Sequence, residues 1–266
     1  MSRRRIVLPP ARMTRLLAIA CAALAATAAA AAPRPAPRPA PNPGATYDAC
    51  LARAQTDPAG ALAFATDWAR KNGGAAADHC EAMALVGLRR YAEAGEKLDA
   101  LARSPFAADP ARRTALFDQA GNAWLLAGRA PSAIASFSAG LQADSFDADL
   151  LADRARALAM SQNWAKAEAD LTAALLVNPD RADLYVLRGS AREALNRIAD
   201  ARADFEHALR IQPGNADALV ERGTLKFAAG DVAGARADWQ AAITSSPGSP
   251  AADTARQRLA DSAPGR

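Results

Sequence analysis

Pro179, Pro213 and Pro247 stand 34 residues apart, and at fixed offsets before them come Ala167, Ala201 and Ala235, then Ala174, Ala208 and Ala242. A unit copied at one short period cannot bury its own apolar face and must stack on its neighbours, so the spacing predicts a solenoid. Within a period the pattern is helical. Leu184, Tyr185, Leu187, Ala191 and Leu195 mark one helix, Asn196-Arg197 breaks it, and Phe205, Ala208, Leu209 and Ile211 mark a second. No alternating strand pattern interrupts the chain after Tyr47, which makes the expected fold class all-α, one antiparallel helix pair per unit.

The units can be aligned residue by residue. From Ala182 the marked positions are Tyr185, Gly189, Ala201, Phe205, Ala208 and Pro213; from Ala216 they are Leu219, Gly223, Ala235, Trp239, Ala242 and Pro247. From Ala148 they are Leu151, Ala155, Ala167, Leu171, Ala174 and Pro179. The unit from Thr114 supplies Phe117, Gly121, Trp124, Ala133, Phe137 and Gly140, with Ser145 where proline is expected. This order, bulky then small four residues on, then A-x3-F, alanine and proline, resembles the tetratricopeptide repeat signature. The resemblance implies a right-handed α-solenoid with units at 114–147, 148–181, 182–215 and 216–249. A divergent unit at 75–113 carries Leu85, Tyr91, Ala94 and Leu98, with extra residues from Phe106 to Pro110. Residues 47–74 read as an N-terminal helical cap, in which Asp57 and Pro58 have the character of an N-cap and a first-turn proline. Residues 250–266 read as a closing helix and tail. Small residues let the paired helices approach, the aromatic residue fills the gap between neighbouring units, and proline ends each second helix.

The net charge of +4 points to anionic partners only until its location is considered. Arg3, Arg4, Arg5, Arg12, Arg15, Arg34 and Arg38 precede the first acid, leaving 25 basic against 28 acidic side chains in the remainder. Nucleic-acid binding needs a basic stripe on the folded part, and the sequence offers none, so that class is set aside. Residues 1–32, an arginine-rich start and an alanine-rich apolar run from Leu16, read as a secretory signal peptide with cleavage near Ala30 or Ala32 and a better-proportioned start at Met13. The run is too weakly apolar for a membrane span, which takes about 20 strongly apolar residues. Ala18-Ile19-Ala20 before Cys21 have the character of a lipid-attachment site, but the apolar stretch continues past Cys21 and argues against one. A Pro/Ala/Arg linker at 33–46 follows, extended as polyproline II. A periplasmic or secreted location is expected. There, Cys50 and Cys80 either form one disulfide or are two separately buried thiols.

Chemistry is sparse. His79 and His207 are the only histidines, and in Asp78-His79-Cys80-Glu81 a helix would turn the four side chains to different sides. The glycines of Asn72-Gly73-Gly74 and Pro213-Gly214-Asn215 serve turns and make no phosphate loop. Neither a catalytic centre nor a metal or other cofactor is expected, and His207 reads as a solvated surface residue. Arg154, Arg188 and Arg222 each precede an aspartate by sixteen residues, namely Asp170, Asp204 and Asp238. Glu81 and Lys97 repeat the spacing with signs reversed, and the unit from Thr114 loses both partners together, having Ala120 and Ser136. This register predicts an ion-pair ladder, within units or to their neighbours; its alternative is a basic binding row.

The tetratricopeptide resemblance implies that ligands meet one face of the first helices. Carried over position by position, that face comprises Asp118, Asn122, Asp149, Asp153, Arg156, Met160, Asp183, Val186, Ser190, Glu193, Asp217, Val220, Glu221, Thr224 and Phe227. Members that clamp carboxylate tails place lysines and asparagines there, and only Asn122 matches. Asp149, Asp183 and Asp217 recur every 34 residues, either as an acidic stripe for a basic peptide or as first-turn acids that offset the helix dipole. The expected function is a non-enzymatic periplasmic scaffold that holds a peptide or helix segment of a partner protein, mildly basic or neutral. The alternative is a permanently docked accessory subunit of an envelope enzyme or export complex.

Overall fold

The computed structural model describes residues 43–262, which belong to one compact unit. The expected signal peptide, Cys21 and most of the expected linker lie outside the described residues. Thirteen α-helices follow one another with no strand among the described residues. They are α1 (Pro43–Thr56), α2 (Pro58–Arg70), α3 (Gly74–Gly87), α4 (Tyr91–Ala102), α5 (Pro110–Leu126), α6 (Ala130–Gly140), α7 (Ala148–Met160), α8 (Trp164–Val177), α9 (Ala182–Ala194), α10 (Ile198–Ile211), α11 (Ala216–Ala228), α12 (Val232–Ser245) and α13 (Pro250–Asp261). Each packs against the next, α1 also touches α3, and α13 closes against α11 and α12. None of the described helices is long and apolar enough to cross a membrane.

Start and stop signals account for the helix limits. Asp57 accepts from the Gly60 amide at 2.9 Å with Pro58 in the first turn, and Ser249 caps α13 in the same way ahead of Pro250. After α8, α10 and α12, residues Asn178, Gln212 and Ser246 have φ of −125°, −134° and −146° and positive ψ, because a following proline disfavours the helical region. Between paired helices the turn needs one left-handed residue, and the same site is filled by Gly128, Gln162, Asn196 and Gly230, with φ of 71°, 57°, 60° and 86°.

Two expected boundaries move. Helix α1 begins at Pro43, inside the segment expected as linker, since proline is tolerated at a helix's first position and nothing after it breaks the turn. The helix expected to start at Thr114 starts at Pro110, because Asp109 accepts from the Arg112 amide at 2.9 Å and caps it there; the extra residues before it form a 3-10 turn at Pro105–Ala107.

Small and large residues match across each pair. A Cβ added to Gly189 would lie 2.5 Å from Phe205, one on Gly223 2.7 Å from Trp239, and one on Gly121 would run into Phe137. The aromatic ring thus occupies the space its own partner helix leaves open. Where the small site is Ala155, the large one is the shorter Leu171, and both are buried.

Candidate functional site

The charged positions sort first by whether they are satisfied. Arg154 meets Asp170, Arg188 meets Asp204 and Arg222 meets Asp238, each at 2.7 Å and each joining the first and second helix of one pair. Lys97 meets Glu81 at 3.2 Å in a more exposed setting. The carboxylates of Asp170, Asp204 and Asp238 are buried. Arg192 adds a second cation to Asp204 at 2.8 Å and reaches Glu168 on the preceding pair at 2.9 Å, so the ladder also ties neighbours together. Within its own pair, Lys226 adds a second cation to Asp238 at 2.8 Å. Burial works to raise the Asp238 carboxyl, but Arg222 and Lys226 outweigh it and hold the group below its ordinary range. With their guanidiniums engaged on carboxylates, Arg154, Arg188 and Arg222 do not form a basic row for ligands.

At Ala120 and Ser136, where the ladder has no rung, Asp99 of α4 intervenes. It accepts from Ser136 Oγ at 2.9 Å and from Trp124 Nε1 at 3.0 Å. At the N-terminal end, Cys50 and Cys80 are buried at disulfide distance, their Cα atoms 6.0 Å apart. His79 is buried with them, donating Nε2–H to Gln119 Oε1 at 2.8 Å while Tyr47 Oη donates to Nδ1. Burial lowers its pKa and keeps the ring neutral. It is a structural histidine joining α1, α3 and α5. His207 is not a freely solvated residue as expected; its ring stacks on Tyr185 with centroids 4.1 Å apart. Among the described residues no group of three or more His, Cys, Asp or Glu is placed to hold a metal ion.

On the expected ligand row, Val186 and Val220 are buried and pack in the core, and neither lines a cavity described below. The hydroxyls of Ser190 and Thr224 donate to the carbonyls of Val186 and Val220 on their own helices, at 3.1 and 3.0 Å. Asp149 and Asp183 are bridged by Arg181 at 2.8 and 2.7 Å, whereas Asp217 has no ion pair among the described residues. All three stand in the first turns of α7, α9 and α11. Phe227 is exposed and its ring leans on Trp239.

The remaining acids crowd one another. Asn122 Nδ2 donates to Asp118 Oδ1 at 2.9 Å and reaches Asp153 at 3.5 Å, while Asp153 pairs with Arg156. Burial, followed by the charges of Asp153, Asp147 and Asp149, pushes the Asp118 carboxyl up to about 6. Burial also raises Glu193, and raises Glu221 with help from Glu193 and Asp217.

Between these acidic stretches lies an apolar opening. A cavity of about 340 Å³ is lined by Met160, Trp164, Leu171, Leu187 and Ala191, with Arg156 and Ser190 at its polar edge. Leu187 sets its character, because the positions 34 residues before and after are Asp153 and Glu221. Arg156, Met160 and Ser190 come from the row read off the sequence; Trp164, Leu171 and Leu187 do not, since as apolar residues at helical spacing they are indistinguishable from core.

The tetratricopeptide repeat family matches residues 152–216 and 187–250. Among solved structures, MamA (41 to the end) from Desulfovibrio magneticus RS-1 is similar at 17% identity and a TM-score of 0.56, over 66% of this chain and 97% of that one. YrrB, described as a TPR protein with an unusual peptide-binding site, is similar at 18% identity and a TM-score of 0.52, over 72% and 96%. At these identities the likeness is one of fold. No curated protein matches the chain.

Proposed function

This chain is a tetratricopeptide repeat protein, and from that premise we propose that it is a non-enzymatic periplasmic scaffold binding an extended or helical segment of a partner protein along the first-helix face. The observation that carries this reading is the apolar cavity of about 340 Å³ at Met160, Trp164 and Leu187, a size that suits ligand pockets and accepts a bulky side chain. Acids stand at the Leu187 position one unit to either side, Asp153 and Glu221, and Asp217 has no ion pair among the described residues. The fitting segment carries an apolar anchor with lysine or arginine near it, and is mildly basic or neutral.

Displayed random peptides selected on the protein, then titrated against variants, test this. Leu187→Asp imitates a residue the neighbouring units already carry, so it leaves the scaffold intact while filling the cavity with charge. Enriched peptides sharing an apolar residue beside a basic one, and at least a tenfold loss of affinity in Leu187→Asp, are expected. Failure to enrich any peptide, or equal affinity in the variant, defeats the reading.

Location belongs to the same proposal. Export through the leader at 1–32 puts Cys50 and Cys80 in an oxidising compartment, where their bridge closes a loop of about 30 residues and stabilises by ~3 kcal/mol. Intact mass of the protein from envelope fractions then shows cleavage after residue 30 or 32 and the loss of two hydrogens. A diacylglyceryl group on Cys21 or free thiols would contradict it.

A further inference from the structure

The repeat is least regular around the junction of α4, α5 and α6. Helix α6 stops at Gly140 after 11 residues, whereas α8, α10 and α12 run for 14. Residues 141–143 continue it only as a tighter hydrogen-bonded turn, and beside that turn and the extra residues before α5 lies a cavity of about 630 Å³ among the ends of α4, α5 and α6. Ala102, Phe117, Ala139 and Ala143 give it an apolar wall, and its polar side chains are Arg103, Arg113 and Gln142. No acid lines it.

The two guanidiniums are underused. Arg113 Nε donates to the Ala107 carbonyl at 3.1 Å, and no carboxylate stands within ion-pair distance of its remaining N–H groups among the described residues. Arg103 lies over the Phe117 ring at 5.3 Å and donates Nη1–H to the Asp99 carbonyl at 2.9 Å. The nearest carboxylate to it is that of Asp99, 3.5 Å away and already accepting from Ser136 and Trp124. Most other arginines of the solenoid that face a cavity or a neighbouring helix are matched to acids, as the ladder shows. Here two planar forks of donors meet solvent across an apolar wall, an arrangement suited to bidentate recognition of an oxyanion.

We propose that this cavity is a second binding site, separate from the first-helix face, that takes a small organic anion: its carboxylate or phosphate between Arg103 and Arg113, its apolar part on Phe117. The expected preference is for an anion carrying a ring or short apolar chain over a bare one, because the wall offers Phe117 and three alanines and no further donors beyond Gln142.

Calorimetric titration of the full chain with benzoate, phenyl phosphate and inorganic phosphate tests the site and separates the sources of the anion. Phenyl phosphate or benzoate should bind more tightly than inorganic phosphate. Arg103→Gln and Arg113→Gln should each weaken binding at least tenfold, while Arg202→Gln, which removes the same charge from an exposed position on α10, should leave it unchanged. If no probe binds, or if all three variants lose affinity equally as a general charge effect would require, the site does not exist. Thermal unfolding of each variant beside wild type confirms that a loss of binding occurs in a folded protein; a variant that fails to fold is replaced by the corresponding lysine, which keeps the charge, loses the bidentate fork and should still bind more weakly than wild type.

Discussion

The match of Gly189 to Phe205 can be tested as a coupling. A Cβ on Gly189 would lie 2.5 Å from Phe205 Cε1 and 2.9 Å from two further ring atoms, closer than packed carbon atoms allow. Phe205 is fully buried and cannot swing away, so Gly189→Ala forces the pair apart at about 1–3 kcal/mol, offset by about 1 kcal/mol of improved helix propensity. Phe205→Leu alone leaves unfilled space and should cost about 1–2 kcal/mol, on the scale of core truncations. The double variant recreates the Ala155–Leu171 combination one unit earlier, where both residues are buried without conflict. The steric term then vanishes, and the double variant should be no less stable than Phe205→Leu. Expressed as a cycle, the coupling is favourable by about 1–3 kcal/mol, well above the ~0.5 kcal/mol scatter of independent sites. Urea unfolding followed together by helical circular dichroism and tryptophan fluorescence supplies the four free energies. Strict additivity would refute the claim that glycine and aromatic are matched in size, and would reassign the glycine to backbone conformation.

Gln162 occupies the left-handed turn site that Gly128 and Gly230 hold in other units, so Gln162→Gly should raise stability by about 0.5–1 kcal/mol, read as a higher urea midpoint at unchanged slope. Removing Arg222 by Arg222→Met leaves the buried Asp238 with Lys226 alone and should destabilise by about 1–3 kcal/mol; because Asp238 is held below its ordinary range, its contribution is present above the unfolded carboxylate pKa near 4 and is lost as pH falls through the lower folded value, so the wild-type advantage over the variant should shrink in that acid window. Asp118 has the opposite sign. Its folded pKa of about 6 lies above the unfolded value, so its protonated form stabilises fully below pH 4 and that contribution is lost as pH rises through 6; Asp118→Asn should raise stability at pH 7 by about 1 kcal/mol, discounted for partial exposure, and have little effect at pH 4. An unchanged difference across that range in denaturant titrations would contradict the crowding of Asp118 by Asp147, Asp149 and Asp153.

Whatever obeys the 34-residue step can be read from the chain, because repetition supplies its own alignment. The helix pairs, the turn sites and the register of Arg154, Arg188 and Arg222 with their aspartates all recur at fixed offsets, and the structure places each arginine against its aspartate inside one pair. The orientation within a helix is harder to read. Val186 and Val220 occupy positions that face ligands by analogy, yet they lie buried, since apolar side chains there gain more from the neighbouring helix than from solvent. Interactions that leave the step are silent in the sequence: Arg181 reaches back to Asp149, Asp99 reaches forward to Trp124 and Ser136, and His79 meets Tyr47 and Gln119. None of these separations equals the 34-residue step, so the repeat does not single them out. The same logic locates the two cavities. The first arises where Leu187 departs from the acids at Asp153 and Glu221, a substitution visible on alignment once the position is known to open outward. The second lies where the end of α6 tightens out of the helix and residues are inserted before α5, both departures from the regular unit. In a solenoid the regular positions maintain the stack, and departures from the period are therefore where a surface can be shaped for a ligand without loss of the fold.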